Sequence, residues 1–218
     1  MQPDISVGAI LIDPGGRLVF AVQRVGRWFE RNQQLYAYYT GIGGNLDPGE
    51  NLEACLVREA LEETSACVKP IMPVHPTLFI DGDRLCSRSY TDAEQRLLGK
   101  VAPLAIYQMH FHTPEAGRSQ TCLVPIYLTV LASLDEGLKA QGDIPALIAL
   151  TLEQVRHFQS GVRMDYLRRS GLVISINRDN RLPDRLILLP FAEAYLITAM
   201  ATFANSVALN IQAYTAQP

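Results

Sequence analysis

Three glutamates, Glu59, Glu62 and Glu63, stand at i, i+3 and i+4 in the segment GNLDPGENLEACLVREALEE, which runs from Gly44 to Glu63. On a helix this spacing projects all three carboxylates from one face. Like charges on one face repel unless something cationic neutralises them, and the one basic residue beside them is Arg58. Carboxylate oxygens in this number suit a hard divalent ion such as Mg2+ or Mn2+. The competing reading is a solvated acidic helix face with no ligand.

The elements that must position these acids can be read from turns and periodicity. Residues 5–12 and 18–24 are apolar and flank Asp13-Pro14-Gly15-Gly16, which predicts a β-hairpin. An aromatic strand is predicted at 35–41, then the glycine run Gly41-Ile42-Gly43-Gly44 and a turn at Asp47-Pro48-Gly49. The acidic helix is predicted from about Asn51 to Thr64, with Leu56, Val57, Ala60 and Leu61 as its core side. Pro70, Pro73 and Pro76 limit residues 67–80 to edge or short strands. Thr91–Glu94 and Thr151–Gln154 have the spacing of capping boxes, which predicts helices at 92–99 and after Thr151. Further strands are predicted at 103–112, 122–132 and 145–150. Residues 81–100 read as an insertion. This order suits an α+β or mixed-sheet sandwich better than alternating βαβ units.

The character changes after Gly161. Residues 161–190 hold six arginines against three aspartates, and 191–211 form one long apolar helix candidate. Its length would span a bilayer. Glu193, Asn205, Ser206 and Asn210 interrupt it, however, and no basic flank anchors it, so a helix packed on the domain or in a dimer interface is expected. A chain of 218 residues with 48% hydrophobic and 19% charged residues has ordinary globular composition. A net charge of −3 gives no general attraction to nucleic acid or anionic membrane. Cys55, Cys67, Cys86 and Cys122 lack zinc spacing, and no signal peptide is evident, so a cytoplasmic location with free thiols is expected.

Gly44, Glu50, Arg58-Glu59 and Glu62-Glu63 together resemble the Nudix box of the MutT-like hydrolases. Six fixed residue types at fixed spacing arise by chance in a chain this long about once in 10^5. The resemblance implies a Nudix-type α/β/α sandwich with a mixed β-sheet over about 1–160, and a C-terminal helical extension at 161–218. It implies that Glu59, Glu62 and Glu63 are catalytic metal ligands, one of which can double as the base. It adds the Gly43 or Gly44 carbonyl as a ligand and Glu50 and Arg58 as an orienting pair. One departure is Ser65-Ala66, where the family has Gly and then an aliphatic residue. A glycine there would cap the helix in the left-handed conformation.

The implied activity is Mg2+-dependent hydrolysis of a phosphoanhydride in a nucleoside diphosphate linked to another moiety, with Mn2+ as a substitute ion. Arg24 is a candidate for substrate phosphate, and Glu115, in the loop 113–121, is a candidate for substrate contact or base. His110 and His112 share a strand face, with a structural role as the simpler reading. Neither a nucleic-acid nor a membrane partner is expected, and a homodimer is compatible. Two rivals stand: a nucleotide-binding sensor on a Nudix fold, and isoprenoid diphosphate isomerase chemistry needing a Cys–Glu pair, with Cys67 or Cys122 as candidates. The insertion at 81–100 and the loop at 113–121 are the expected specificity elements.

Overall fold

β1 (Asp4–Ile12) and β2 (Leu18–Val22) form the N-terminal hairpin. Asp13 turns the chain: its Oδ1 accepts from the N–H groups of Gly15 and Arg17 at 2.9 and 2.8 Å, and Gly16 takes a φ of 76°. The structure is a computed structural model that describes residues 4–81, 84–113, 118–133 and 137–215. Along the chain follow β3 (Phe29–Arg31), β4 (Gln34–Thr40), β5 (Ile42–Asn45) and α1 (Leu52–Thr64). Then come β6 (Val68–Ile71), β7 (Leu78–Asp81), β8 (Arg84–Ser87), α2 (Asp92–Leu98), β9 (Ala105–Thr113) and β10 (Arg118–Leu131). The remainder is β11 (Ala146–Leu150), α3 (Leu152–His157), β12 (Val162–Arg163), α4 (Met164–Arg169), β13 (Val173–Ile176), β14 (Ile187–Pro190), α5 (Glu193–Ala199) and α6 (Ala201–Thr215). Both capping boxes form, at Thr91 with Glu94 and at Thr151 with Gln154.

The strands make one mixed sheet with the order β12-β14-β4-β2-β1-β10-β9-β7-β8. β1 runs parallel to β10, β7 to β9, and β14 to β4, while the other pairs are antiparallel. Alternation along each strand divides the core in two. Val7, Ala9 and Leu11 of β1 pack with Leu52, Cys55, Leu56 and Ala60 of α1. Ile10 and Ile12 point the other way, into a cluster with Leu196, Ile197, Phe203 and Val207 of the C-terminal helices. Helices thus cover both faces of the central strands, which explains why β2 and β11 are buried at every position. This is the mixed-sheet α/β sandwich that the resemblance implies.

Two sequence expectations need correction. The core side of α1 is Leu52, Cys55, Leu56, Ala60 and Thr64, whereas Leu61 is 48% exposed. The 3.6-residue period puts position 61 well off the stripe that starts at Leu52. The apolar run 191–211 is not one helix: α5 and α6 meet at 111°, with Met200 between them in an extended conformation. Among the described residues, no single helix is long and apolar enough to cross a membrane. The bend lets α5 follow β14 while α6 closes over the core, burying Phe203, Ala204, Ser206, Val207 and Asn210. The C-terminal segment also contributes strands, since β14 extends the sheet beside β4.

Candidate active site

α1 starts at Asn51, whose side chain accepts from Ala54 N at 2.9 Å, and ends at Ser65. Ser65 takes the left-handed cap conformation itself, with φ 58° and ψ 15°, so the cap geometry survives without glycine. Glu59 and Glu63 fall within the buried stripe of the helix, one turn apart, and Glu62 lies at its margin. The Glu62 side chain is accordingly 59% exposed and that of Glu59 only 15%.

The buried stripe presses these two acids onto the glycine loop. β5 carries Gly43 and Gly44 against β1, where Gly43 pairs with Gly8 and Gly44 with Val7. Glu63 Oε2 accepts from Gly43 N at 3.3 Å. A Cβ on Gly44 would lie 2.2 Å from Glu59 Oε1, so glycine is what leaves room for that carboxylate. Burial pushes Glu63 up to about 8, and the charges of Glu59, Asp143 and Glu193 add to the rise. Burial also raises Glu59, against the opposing effect of Arg58.

Arg58 is the hub of the outer acids. Its Nε and Nη2 donate to Glu50 Oε1 and Oε2 at 3.0 and 2.9 Å, a bidentate pair. Nη1 donates to Glu59 at 2.8 Å and to Glu62 at 3.4 Å, and Nη2 also reaches the Asn45 carbonyl at 3.0 Å. Hydrogen bonding from Arg58 holds Glu50 down at about 2. Glu50 in turn accepts from Asp47 N at 3.0 Å, which fixes the turn that precedes the helix.

A cavity of about 320 Å³ opens over this loop, lined by Gly43, Gly44, Glu63, Arg24, Arg27 and Asp143, among others. The half-exposed Arg24 reaches Asp143 Oδ2 at 3.2 Å. The segment before Asp143 is docked on the end of α1, with Lys139 N donating to Thr64 O at 2.8 Å and Gln141 N to Glu63 O at 3.2 Å. Glu115 lies outside the described residues. None of the described residues of 84–100 lines this cavity, and neither does a cysteine. All four thiols are free, and burial pushes that of Cys55 up to about 12.

The sequence reading missed two residues of the site, Asp143 and Glu193. Glu193 is 4% exposed and sits at the start of α5, far along the chain from the box. Its Oε2 accepts from Thr40 Oγ1 at 2.9 Å and from Gly41 N at 3.0 Å. A Cβ on Gly8 would lie 2.1 Å from its Oε1, so a second glycine makes room for a second acid. Burial raises its carboxyl. The available signal was a lone acid inside an apolar run.

Among the described residues, no three His, Cys, Asp or Glu side chains converge on one point, because Arg58 draws Glu59 and Glu62 toward itself. The donor chemistry nonetheless fits a divalent cation. Glu63 stands in an open cavity beside Gly43 and Gly44, Glu59 packs on Gly44, and the acids around Glu63 oppose its ionisation, a repulsion that a cation would offset. A small set of hard oxygen donors suits an ion that retains several waters.

The NUDIX domain family model matches residues 2–121. No curated protein matches the chain. Solved structures with a similar fold include a MutT protein from Methanosarcina mazei Go1, at 16% identity, covering 72% of this chain and 83% of that one with a TM-score of 0.41. A NUDIX hydrolase from Nitrosomonas europaea is 15% identical over 84% of this chain and 99% of that one, with a TM-score of 0.43. An ADP-ribose pyrophosphatase from Streptococcus suis is 13% identical over 100% of this chain and 96% of that one, with a TM-score of 0.42. The match over 2–121 spans more than half of the 218 residues and includes the whole acidic box. The chain belongs to the NUDIX domain family.

Proposed function

We propose that the chain is a Mg2+-dependent hydrolase that cleaves the phosphoanhydride bond of a nucleoside diphosphate linked to another moiety. The observation that carries this reading is the pair Glu59 and Glu63, half-buried one turn apart, with Glu59 against Gly44 and Glu63 against Gly43 in the lining of an open cavity. These two carboxylates and a glycine-loop carbonyl would hold the ion, with Glu62 as a further ligand after release from Arg58. When bound, the ion supplies Lewis-acid chemistry, offsetting the charge of the diphosphate and making water a stronger nucleophile. Mn2+ would serve in its place.

The chain's own groups do the rest. Arg58 and Glu50 lock the helix start to the turn before it, and so keep Glu59 in register with Gly44. Arg24 stands at the rim, where phosphate oxygens would meet it in place of Asp143. Glu63, beside the ion and in the cavity lining, would be placed to take a proton from the attacking water. Attack at one phosphorus breaks the bridging P–O bond and yields two phosphomonoesters. We assign 1–160 as the Nudix unit and 161–218 as an extension packed on it, whose β14 and α5 complete the sheet and the cavity.

The test is a panel of diphosphate-linked nucleotides incubated with Mg2+, with and without chelator, and with products identified. We expect a nucleoside monophosphate as one product, formed only when the metal is present. Tight nucleotide binding with no product on prolonged incubation would overturn the hydrolase reading in favour of a sensor.

A further inference from the structure

A second cavity of about 440 Å³ adjoins the first, walled by Tyr38, Tyr107, Phe191 and Tyr195. Met109 and Ala192 line both cavities, so the two lie side by side. Phe191 is 44% exposed and Tyr195 52%. Scattered exposed apolar side chains are ordinary, but here two large rings share one cleft, and a clustered patch of that kind marks a binding surface.

The wall is held rigid from behind. The Tyr38 ring lies 5.2 Å from that of Phe191 and 5.3 Å from that of Phe29, and Phe29 stacks on Tyr36 at 5.5 Å. The Phe191 backbone is anchored as well, its N–H donating to Tyr39 O at 2.9 Å. Among the described residues, no charged side chain lines the cleft, and Gln159 supplies a polar edge. An apolar, aromatic-walled space with one amide at its margin suits a flat, neutral, hydrogen-bonding ring. The shared wall at Met109 and Ala192 sets that ring beside the cavity of the proposed diphosphate.

We infer that this cleft seats the nucleobase of the substrate, stacked on Phe191 and Tyr195. The inference rests on the proposed hydrolase reading only for the identity of the rest of the substrate. Phe191, Tyr195 and Gln159 all lie outside the matched residues 2–121, so the seat is built mainly by this chain's C-terminal segment.

The test is titration of the full-length, metal-free chain with adenosine and uridine 5′-monophosphates, followed by calorimetry or saturation-transfer NMR. Phe191→Leu keeps the apolar volume and removes the planar face, and Tyr195→Ala removes the other ring. Stacking on an aromatic side chain is strong enough that each variant should weaken binding about 10-fold. Phe191→Trp should bind as the parent does, and circular dichroism checks that all three fold. The inference is overturned if the parent binds neither nucleotide, if Phe191→Leu binds as tightly as the parent, or if sedimentation shows a dimer that buries Phe191 and excludes nucleotide. Binding lost in Phe191→Leu, in a chain that hydrolyses no diphosphate, would sink the hydrolase reading and leave this one standing. Hydrolysis with nucleotide affinity untouched in Phe191→Leu would do the reverse.

Discussion

Gly41 donates its backbone N–H to Glu193 at 3.0 Å, across 152 residues of sequence. The bond ties the first turn of α5 to the link between β4 and the glycine loop of the site. Thr40 Oγ1 holds the same oxygen at 2.9 Å. The preceding Ala192 has φ 45° and ψ −116°, a conformation that favours glycine. Glu193→Ala leaves a buried amide without its acceptor, and we expect it to cost about 1–3 kcal/mol in denaturant unfolding. Glu193→Gln keeps an acceptor for Gly41 and should cost less. Ala192→Gly relieves the backbone and should stabilise the fold by about 1 kcal/mol. An unchanged midpoint in Glu193→Ala would mean that the contact carries no stability.

The two loop glycines should fail in different ways. A Cβ on Gly43 meets the Val7 carbonyl oxygen at 2.1 Å, which is backbone inside the sheet. The three atoms nearest a Cβ on Gly44 all belong to the carboxylate of Glu59, the movable end of a side chain. Gly43→Ala should therefore lower the melting temperature clearly, by about 5 °C or more. Gly44→Ala should melt near the parent but lose turnover, because Glu59 is displaced. Equal melting temperatures for the two variants would contradict this division.

Arg58 pairs with four acids, Asp47, Glu50, Glu59 and Glu62, and a carbonyl, which a lysine cannot reproduce with one ammonium. We expect Arg58→Lys to lower kcat by about 10-fold or more, as groups that orient metal ligands do. Apparent Mg2+ affinity should weaken in parallel. Steady-state kinetics across a Mg2+ titration measures both, and an intact kcat in Arg58→Lys would make the pair merely a surface contact.

The Glu63 carboxyl gives a pH signature in metal-free protein. Its folded-state value of about 8 lies above the ordinary range for a free glutamate, so the fold favours the protonated form. The stability it contributes is complete below the unfolded value near 4.5 and is lost as pH rises through about 8. With chelator present, melting temperature should fall between pH 5 and 8 more steeply than in Glu63→Gln, by about 5 °C over that window. Added Mg2+ should raise it again at pH 8. Superimposable pH profiles for parent and Glu63→Gln would refute the role of burial at this carboxyl.

What was legible in the chain was local. The hairpin around Asp13, the two capping boxes and the extent of α1 each depend on residues within a few positions of one another. The spacing of Glu59, Glu62 and Glu63 fixed their shared helix, but it did not separate the buried pair from the exposed Glu62, because that depends on which stripe meets the sheet. The placement of β14 beside β4 and the burial of Glu193 are contacts between distant segments, which no local pattern encodes. The break at Met200 has no proline or glycine to announce it. It follows from packing, since an unbroken helix could not both follow β14 and close over the core.

On the proposed reading, the acids of α1 perform metal-dependent cleavage of a diphosphate. Its most direct measurement is turnover of the best substrate found in the panel by Glu62→Gln and Glu63→Gln, with Mg2+ present and folding verified by circular dichroism. We expect Glu63→Gln to lose at least about 10²-fold in kcat while remaining folded, and Glu62→Gln to lose less. Full activity in both variants, or undiminished turnover by the parent in excess chelator, would contradict the account.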